Sequence, residues 1–415
     1  MKSTYHIDPR SGKLAPGKLA PRWLLNGVHG AEEGYNAQGD IVTQTADGRD
    51  LTALWTEFQQ TLEVYNSRRT ALVGILTFPV NNVIEDVPIL GEEEFEEASE
   101  FGVPVGVRPR LQYQSLAFDF RDYDRATRFT WRFLRDASAQ QVESVHQQIL
   151  NADNKLLFRK IMEAIFDNRD RKTLVNQTAY TVSPLYNADG FIPPPYKNTT
   201  FDGTHSHYLV SGAAKIDSDD FMSLLNLISE HGFGIEQGTT FALICNQAEI
   251  NEIRKWRAGQ PNGVGAVTND FASGTAIADY DFIPAANQPA LIVPNAEGLL
   301  GSQPPSVWQG LPVIGSYADV LVVHEDYIPA GYPIMLGSGG SGDLQNPVGL
   351  RQHPNPQYQG LRLYPGNQQA YPLIDSYYSR SFGTGIRQRG GAAVLMVGTG
   401  SYVIPPQYKK GGGLG

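Results

Sequence analysis

The sequence predicts an α+β fold. Three observations carry this: one long helical pattern without Pro or Gly between Asp136 and Asp170, strand-like alternation in segments remote from it, and 43 Gly and 27 Pro scattered through a chain suited to long loops. Helices and strands fall in separate clusters, which is the α+β arrangement. The helical stretch is the spine of the chain. Ser138 and Gln141 form the S-x-x-Q pair in which each side chain satisfies a backbone N–H at the helix start. Apolar residues then recur at Val142, Val145, Ile149, Ala152, Leu156, Leu157, Ile161 and Ile165, and the whole capped run would be about 45 Å long at 1.5 Å per residue.

Residues 1–50 hold a tandem GKLAP repeat, Gly12–Pro16 and Gly17–Pro21, and too few apolar residues for a core, so they read as an extended arm. From Asp50, the positions Leu51, Leu54, Trp55, Phe58 and Leu62 predict an amphipathic helix ending near Asn66. The period then changes to two at Leu76, Phe78 and Val80, and again at Leu111 and Tyr113. After Ser115 the apolar set jumps phase to Leu116, Phe118 and Phe120, which predicts a β-bulge near Gln114–Leu116. Residues 70–130 therefore read as a long two-stranded excursion. An isolated hairpin is marginal in water, so its natural support is a neighbouring subunit.

Beyond the spine, 171–215 is turn-rich with short strands. Asp217 or Ser218 caps a helix bearing Phe221, Leu224, Leu225 and Ile228 and stopping at Gly232. Thr239–Cys245 reads as a buried strand and Gln247–Ala258 as a helix closed by Gly259. Short strands follow at Ala290–Val293, Pro312–Ile314 and Val320–Val323. Residues 337–372 read as a long loop, and the chain closes with Tyr377–Arg380, a glycine turn and the strand Ala392–Val397.

Composition excludes several functions. A net charge of −10 argues against a general nucleic-acid binder, and 41% hydrophobic residues in 415 suffice for a core divided over two or three domains. The single cysteine, Cys245, rules out a disulfide framework. No apolar run has the length of a signal peptide or a membrane span, so the chain reads as a soluble cytoplasmic product without a membrane partner.

Catalytic chemistry is not indicated. Gly337, Gly339 and Gly342 satisfy G-x-G-x-x-G, yet the following Leu344–Gly349 stretch cannot begin the helix that pyrophosphate binding needs. His205 and His207 share one face of a presumed strand, but the sequence offers no third ligand at metal-site spacing, so satisfied strand histidines are the better reading. His324, Glu325 and Asp326 end a buried strand without an accompanying nucleophile motif. No catalytic, cofactor or metal residue is assigned. The acidic run Glu92–Glu100 reads as a solvated face, or as a partner for arginines of another chain.

The order of segments resembles the major capsid proteins of tailed bacteriophages, which share the Hong Kong 97-like fold. It comprises an N-terminal arm, a long β excursion, the approach Arg125-Ala-Thr-Arg-Phe-Thr-Trp-Arg-Phe, the spine, a compact α+β region and a Gly/Arg-rich closing strand. The most specific local similarity is Tyr377–Val397, about twenty residues. The resemblance implies a non-enzymatic structural protein divided into an N-terminal arm and short helix (1–66), an extended β-hairpin E-loop (70–130), a P-domain with the spine helix (131–215), an A-domain (216–380) and a C-terminal strand and tail (381–415) returning to the P-domain. It further implies pentamers and hexamers assembled in the bacterial cytoplasm into an icosahedral virion capsid around double-stranded DNA, bound without sequence specificity.

The implied partners are the chain itself, a separate scaffolding protein, a portal and a cement or decoration protein. Members that cross-link covalently use an E-loop lysine. Here no lysine lies between Lys18 and Lys155, so a non-covalent shell is expected, and with about 65 residues before the E-loop no large propeptide is expected either. Candidate inter-subunit contacts are Glu93, Glu94 and Glu97 of the acidic run with Arg108, Arg110, Arg125, Arg128 and Arg132; Arg121 and Arg135 share the same charge segregation. An encapsulin-like nanocompartment shell has the same fold. A cytoplasmic enzyme would need His205, His207 or His324 to converge in a pocket.

Overall fold

A computed structural model describes residues 42–67, 71–89, 97, 102, 112–175, 177–197, 199–262, 276–286, 288, 303–367 and 373–409. The expected arm up to residue 41 and the strand Ala290–Val293 lie outside the described residues. Helix α1 (Leu51–Ser67) begins where Asp50 accepts the Ala53 N–H at 2.9 Å, and it buries Leu51, Leu54, Trp55, Phe58 and Leu62. A six-residue helix follows, α2 (Ala71–Leu76), so Leu76 belongs to a helix and the alternation expected from it starts one residue later, in β1 (Thr77–Val80). Its apolar run ALVGIL is buried along Leu72–Leu76, which is why it carried no amphipathic signal.

Strands β2 (Ile84–Ile89) and β3 (Gln112–Ala117) pair antiparallel, from Ile84 opposite Ala117 to Ile89 opposite Gln112, as a separate two-stranded ribbon. The register is unbroken, so the bulge expected near Gln114–Leu116 is absent. The phase change has another cause: at the base of the ribbon the chain becomes enclosed on both faces, with Leu116, Ala117, Phe118 and Asp119 all buried. Their backbone is tied to Val83 by the Phe118 N–H at 2.9 Å and to Thr384 by the Asp119 N–H at 3.2 Å. The two-stranded excursion is also shorter than 70–130. Both β1 and β4 (Arg121–Thr130) belong to a larger sheet.

The Thr130 hydroxyl caps α3 (Trp131–Asp136), and the spine α4 (Ala139–Phe166) follows. Its start is fixed as expected, with Gln141 Oε1 accepting the Ser138 N–H at 3.0 Å. Its 28 residues span about 42 Å at 1.5 Å per residue. The buried stripe differs from the apolar one: Ala152 is exposed, Val145 and Leu156 are half-buried, and His146 and Asp153 take buried positions on the same face. Val142, Ile149 and Leu150 pack against α1 and against Leu361, Ile374 and Tyr378 of the sheet that holds β4. Leu157, Phe158, Ile161, Met162 and Ile165 enter a second core shared with both sheets. The spine thereby joins the two.

Next come the hairpin β5 (Arg171–Val175) and β6 (Thr178–Val182), and then β7 (Tyr208–Val210). Helix α5 (Ser218–Ser229) is capped by Asp217, whose carboxylate accepts the Asp220 N–H at 3.0 Å. Strand β8 (Thr240–Cys245) and helix α6 (Gln247–Ile253) follow; α6 stops five residues short of the expected Ala258, with the Trp256 N–H closing a turn on Ile253. The remaining strands are β9 (Ile283–Pro284), β10 (Val307–Trp308), β11 (Leu311–Tyr317), β12 (Val320–His324), β13 (Ile334–Ser338), β14 (Val348–Arg351), β15 (Leu361–Tyr364), β16 (Leu373–Ile386) and β17 (Ala392–Met396).

Among the described residues these strands form a five-stranded sheet, β1-β14-β16-β15 with β4 on the other side of β16, and an eight-stranded mixed sheet, β10-β11-β12-β8-β13-β17-β7 with β9 beside β11. The stretch 337–372 is therefore not one loop. It ends β13 and contains β14 and β15. Strand β14 is four residues long and carries Gly349 because Phe118 packs where a side chain would be: an added Cβ would lie 2.3 Å from its ring. Likewise β16 runs straight through Gly383 and Gly385, where the backbone carbonyls of Asp119 and Ala117 approach too closely for a Cβ. Those glycines are close contacts of strands, and the turn comes later, at Gly390 and Gly391.

Candidate functional site: assembly surfaces and a histidine cluster

The β2–β3 ribbon is held to the rest of the chain at its base. Arg387 pairs with Glu85 at 2.6 Å, and the Arg351 guanidinium reaches the Phe118 carbonyl at 3.2 Å. Farther out, Asp86 and Ser115 are exposed and Tyr113 presents 52% of its surface. A two-stranded ribbon by itself is marginally stable in water. Other large apolar side chains stand out similarly, among them Leu174 at 74% exposure at the end of the β5–β6 hairpin.

Strand β4 is the second candidate surface. Among the described residues it pairs only with β16, and its outer positions Arg121, Asp122, Asp124, Arg125 and Arg128 are exposed. Charges along an edge discourage indiscriminate strand addition while leaving specific ion pairing open. Of the expected contact residues, Glu93, Glu94, Arg108 and Arg110 lie outside the described residues, and Glu97 is exposed. Arg128 is already engaged: it forms a fork with Asp375, its cross-strand neighbour, at 2.8 and 3.0 Å. That hydrogen bonding holds the Asp375 carboxyl below its ordinary range. Arg125 and Arg132 are exposed and have no ion pair among the described residues. Arg121 pairs with Asp119, and Arg135 with Asp136.

The remaining motifs resolve by position. Gly337 lies in β13 and Gly339–Gly342 in a turn that leads to β14, so no helix follows the G-x-G-x-x-G pattern. His324 ends β12 and pairs with Asp326 at 3.2 Å. His205 and His207 do find a third histidine, contrary to the reading of the sequence. The end of α5 brings His231 to them, and the three Nε2 atoms lie 3.0–3.1 Å apart. Burial lowers the pKa of all three, His231 to about 3. They are neutral at pH 7. The separation of 24 positions between His207 and His231 leaves no spacing signal; only the packing of α5 against the sheet creates the cluster. Among the described residues, no helix is long and apolar enough to cross a membrane.

No protein-family model matches this chain. No curated protein matches it either. Solved structures do. The chain is similar to one from Mycobacterium phage Patience, with 49% identity over 92% of this chain and 98% of that one and a TM-score of 0.71. Matches of lower similarity include the capsid of a native GTA particle (13% identity, 80% of this chain and 91% of that one, TM-score 0.42) and the mature capsid of bacteriophage PhiM1 (10%, 80% and 88%, TM-score 0.42). The kinship to the Patience protein runs along nearly the full length of both chains and agrees with the resemblance carried by the spine and the Tyr377–Val397 segment: the chain belongs to the phage major capsid proteins.

Proposed function

We propose that this chain is the building block of an icosahedral head, assembling into pentamers and hexamers that close around the double-stranded DNA of a tailed phage. The observation that carries the reading is the β2–β3 ribbon, anchored at its base and exposed at Tyr113, Ser115 and Asp86. Such a ribbon gains burial by lying across a neighbouring subunit, so each chain completes the next. In this reading residues 1–66 are the N-arm and the ribbon is the core of an E-loop narrower than 70–130. The spine with the five-stranded sheet is the P-domain of a Hong Kong 97-like fold, which takes β14, β15 and β16 out of the A-domain expected over 216–380, and the eight-stranded sheet with α5 and α6 is the A-domain. Of the segment from 381, residues 381–386 pair within the five-stranded sheet, whereas β17 joins the eight-stranded one. The net charge of −10 suits a wall that contains DNA without adhering to it.

Contacts between subunits pair the acidic Glu93, Glu94 and Glu97 with Arg125 and Arg132, and with Arg108 and Arg110 of the same excursion. With no lysine between Lys18 and Lys155, the shell is held by burial and ion pairs. A separately encoded scaffold and portal, and a cement protein, complete the assembly in the host cytoplasm. The test is negative-stain electron microscopy with light scattering on the full chain, expressed with and without its genomic neighbours. Shells or five- and six-membered rings support the reading, and DNA-filled particles distinguish it from an encapsulin-like shell filled with protein. A compact monomer under both conditions refutes it.

A further inference from the structure

The histidine cluster cannot satisfy itself. The His207 Nδ1 lies 2.7 Å from the Ala392 carbonyl and donates its proton there, which leaves the His207 Nε2 as a bare lone pair aimed at the other two rings. His205 and His231 face it at 3.1 and 3.0 Å and face each other at 3.0 Å. Protonate both, and two donors meet. Protonate one, and a pair of lone pairs is left in contact. No placement of protons on the three Nε2 atoms makes all three edges attractive, whereas one cation at the hub does.

We propose that His205, His207 and His231 bind one divalent transition-metal ion, zinc(II) by preference, through their three Nε2 atoms. The dimensions agree. With metal–nitrogen bonds of about 2.0–2.1 Å, ligand atoms stand about 2.8–3.0 Å apart around an octahedral ion and about 3.3–3.4 Å apart around a tetrahedral one. The observed triangle lies at the first and needs shifts of only tenths of an ångström for the second. Three imidazoles without a carboxylate suit zinc and its neighbours, and neither magnesium nor calcium.

The surroundings are built for a fixed site. Phe201 stacks on the His231 ring at 4.5 Å and 14°, and Tyr186 stacks on it at 5.2 Å. Gly390 leaves room for that ring, since a Cβ there would lie 2.6 Å from it. The Arg389 charge beside the cluster is neutralised by Asp189 at 2.6 Å. His207 is buried, while His205 and His231 are half-buried, so an ion enters from their side and keeps a position for water. The ion would tie together the lead into β7, the end of α5 and, through Ala392, strand β17. Its role is that of a staple where the C-terminal segment returns.

The experiment uses the full chain purified without a polyhistidine tag. Elemental analysis is expected to give about one zinc per chain, and the chelated chain is expected to regain stability on adding zinc chloride, with cobalt chloride giving visible absorption bands. His231→Ala and His205→Asn, each checked for folding by circular dichroism, are expected to weaken binding by roughly 100-fold or more and to melt independently of chelator. Two results overturn the proposal: a folded wild-type chain whose melting responds to neither zinc, cobalt nor nickel, or wild-type metal content in both folded variants. The wild-type titration decides the question even if a variant fails to fold.

Discussion

Replacing Arg380 by Met breaks the buried ion pair between the spine and strand β16. The Arg380 guanidinium binds Asp153 Oδ2, and their side chains are 11% and 4% exposed. The Tyr65 hydroxyl lies 2.9 Å from the same oxygen and 2.8 Å from Asn154 Oδ1, so α1 shares the site. Burial, then the Asp153 charge, raises the Tyr65 pKa and keeps that hydroxyl a donor. Removing one partner of such a pair costs about 3–5 kcal/mol because the other is left charged and buried. The expected loss for Arg380→Met is therefore about 3–5 kcal/mol at pH 7. Urea unfolding followed by tryptophan fluorescence, at protein concentrations too low for assembly, measures it. Adding Asp153→Asn removes the stranded charge and should recover about 2 kcal/mol or more. A loss below about 1 kcal/mol at pH 7 refutes the account.

Other expectations follow from the same packing. Gly383→Ala sets a Cβ 1.6 Å from the Asp119 carbonyl oxygen, a backbone atom that no rotamer change can move, so soluble yield and melting temperature should both collapse; wild-type melting would contradict the packing. His146 is buried against Phe58 and bonded to the Tyr378 hydroxyl at 2.8 Å, and burial depresses its pKa to about 4. Because the unfolded chain then binds the proton more readily, stability is lost as pH falls from about 6.5 towards 4, by roughly 1.4 kcal/mol per unit. His146→Gln should flatten that part of a pH–stability curve, and an unchanged slope would assign it elsewhere. Tyr113→Ser should leave monomer stability within about 0.5 kcal/mol while raising the assembly threshold at least about tenfold, read by light scattering; an unmoved threshold argues against the ribbon as a contact. Particles boiled in detergent should run as single chains on a gel, since a ladder of subunits would reveal covalent links.

What the sequence determined was local. Helix α1, the spine's start at Ser138 and Gln141, the Asp217 cap of α5, and strands β8 and β12 were legible because caps and apolar periods act within a few residues. The family resemblance was legible too, since it rests on segment order and on Tyr377–Val397. Tertiary structure decided the rest. Whether Val348–Arg351 is loop or strand depends on Thr77–Val80 and Gly383–Ile386, far away in sequence on either side. The glycines of β16 make sense only beside Asp119 and Ala117. Polar His146 and Asp153 occupy a buried stripe because α1 and Arg380 meet them there. His231 becomes a partner of His205 and His207 only when α5 docks. Periodicity records how a residue relates to its chain neighbours, and contacts between distant segments leave no period to read.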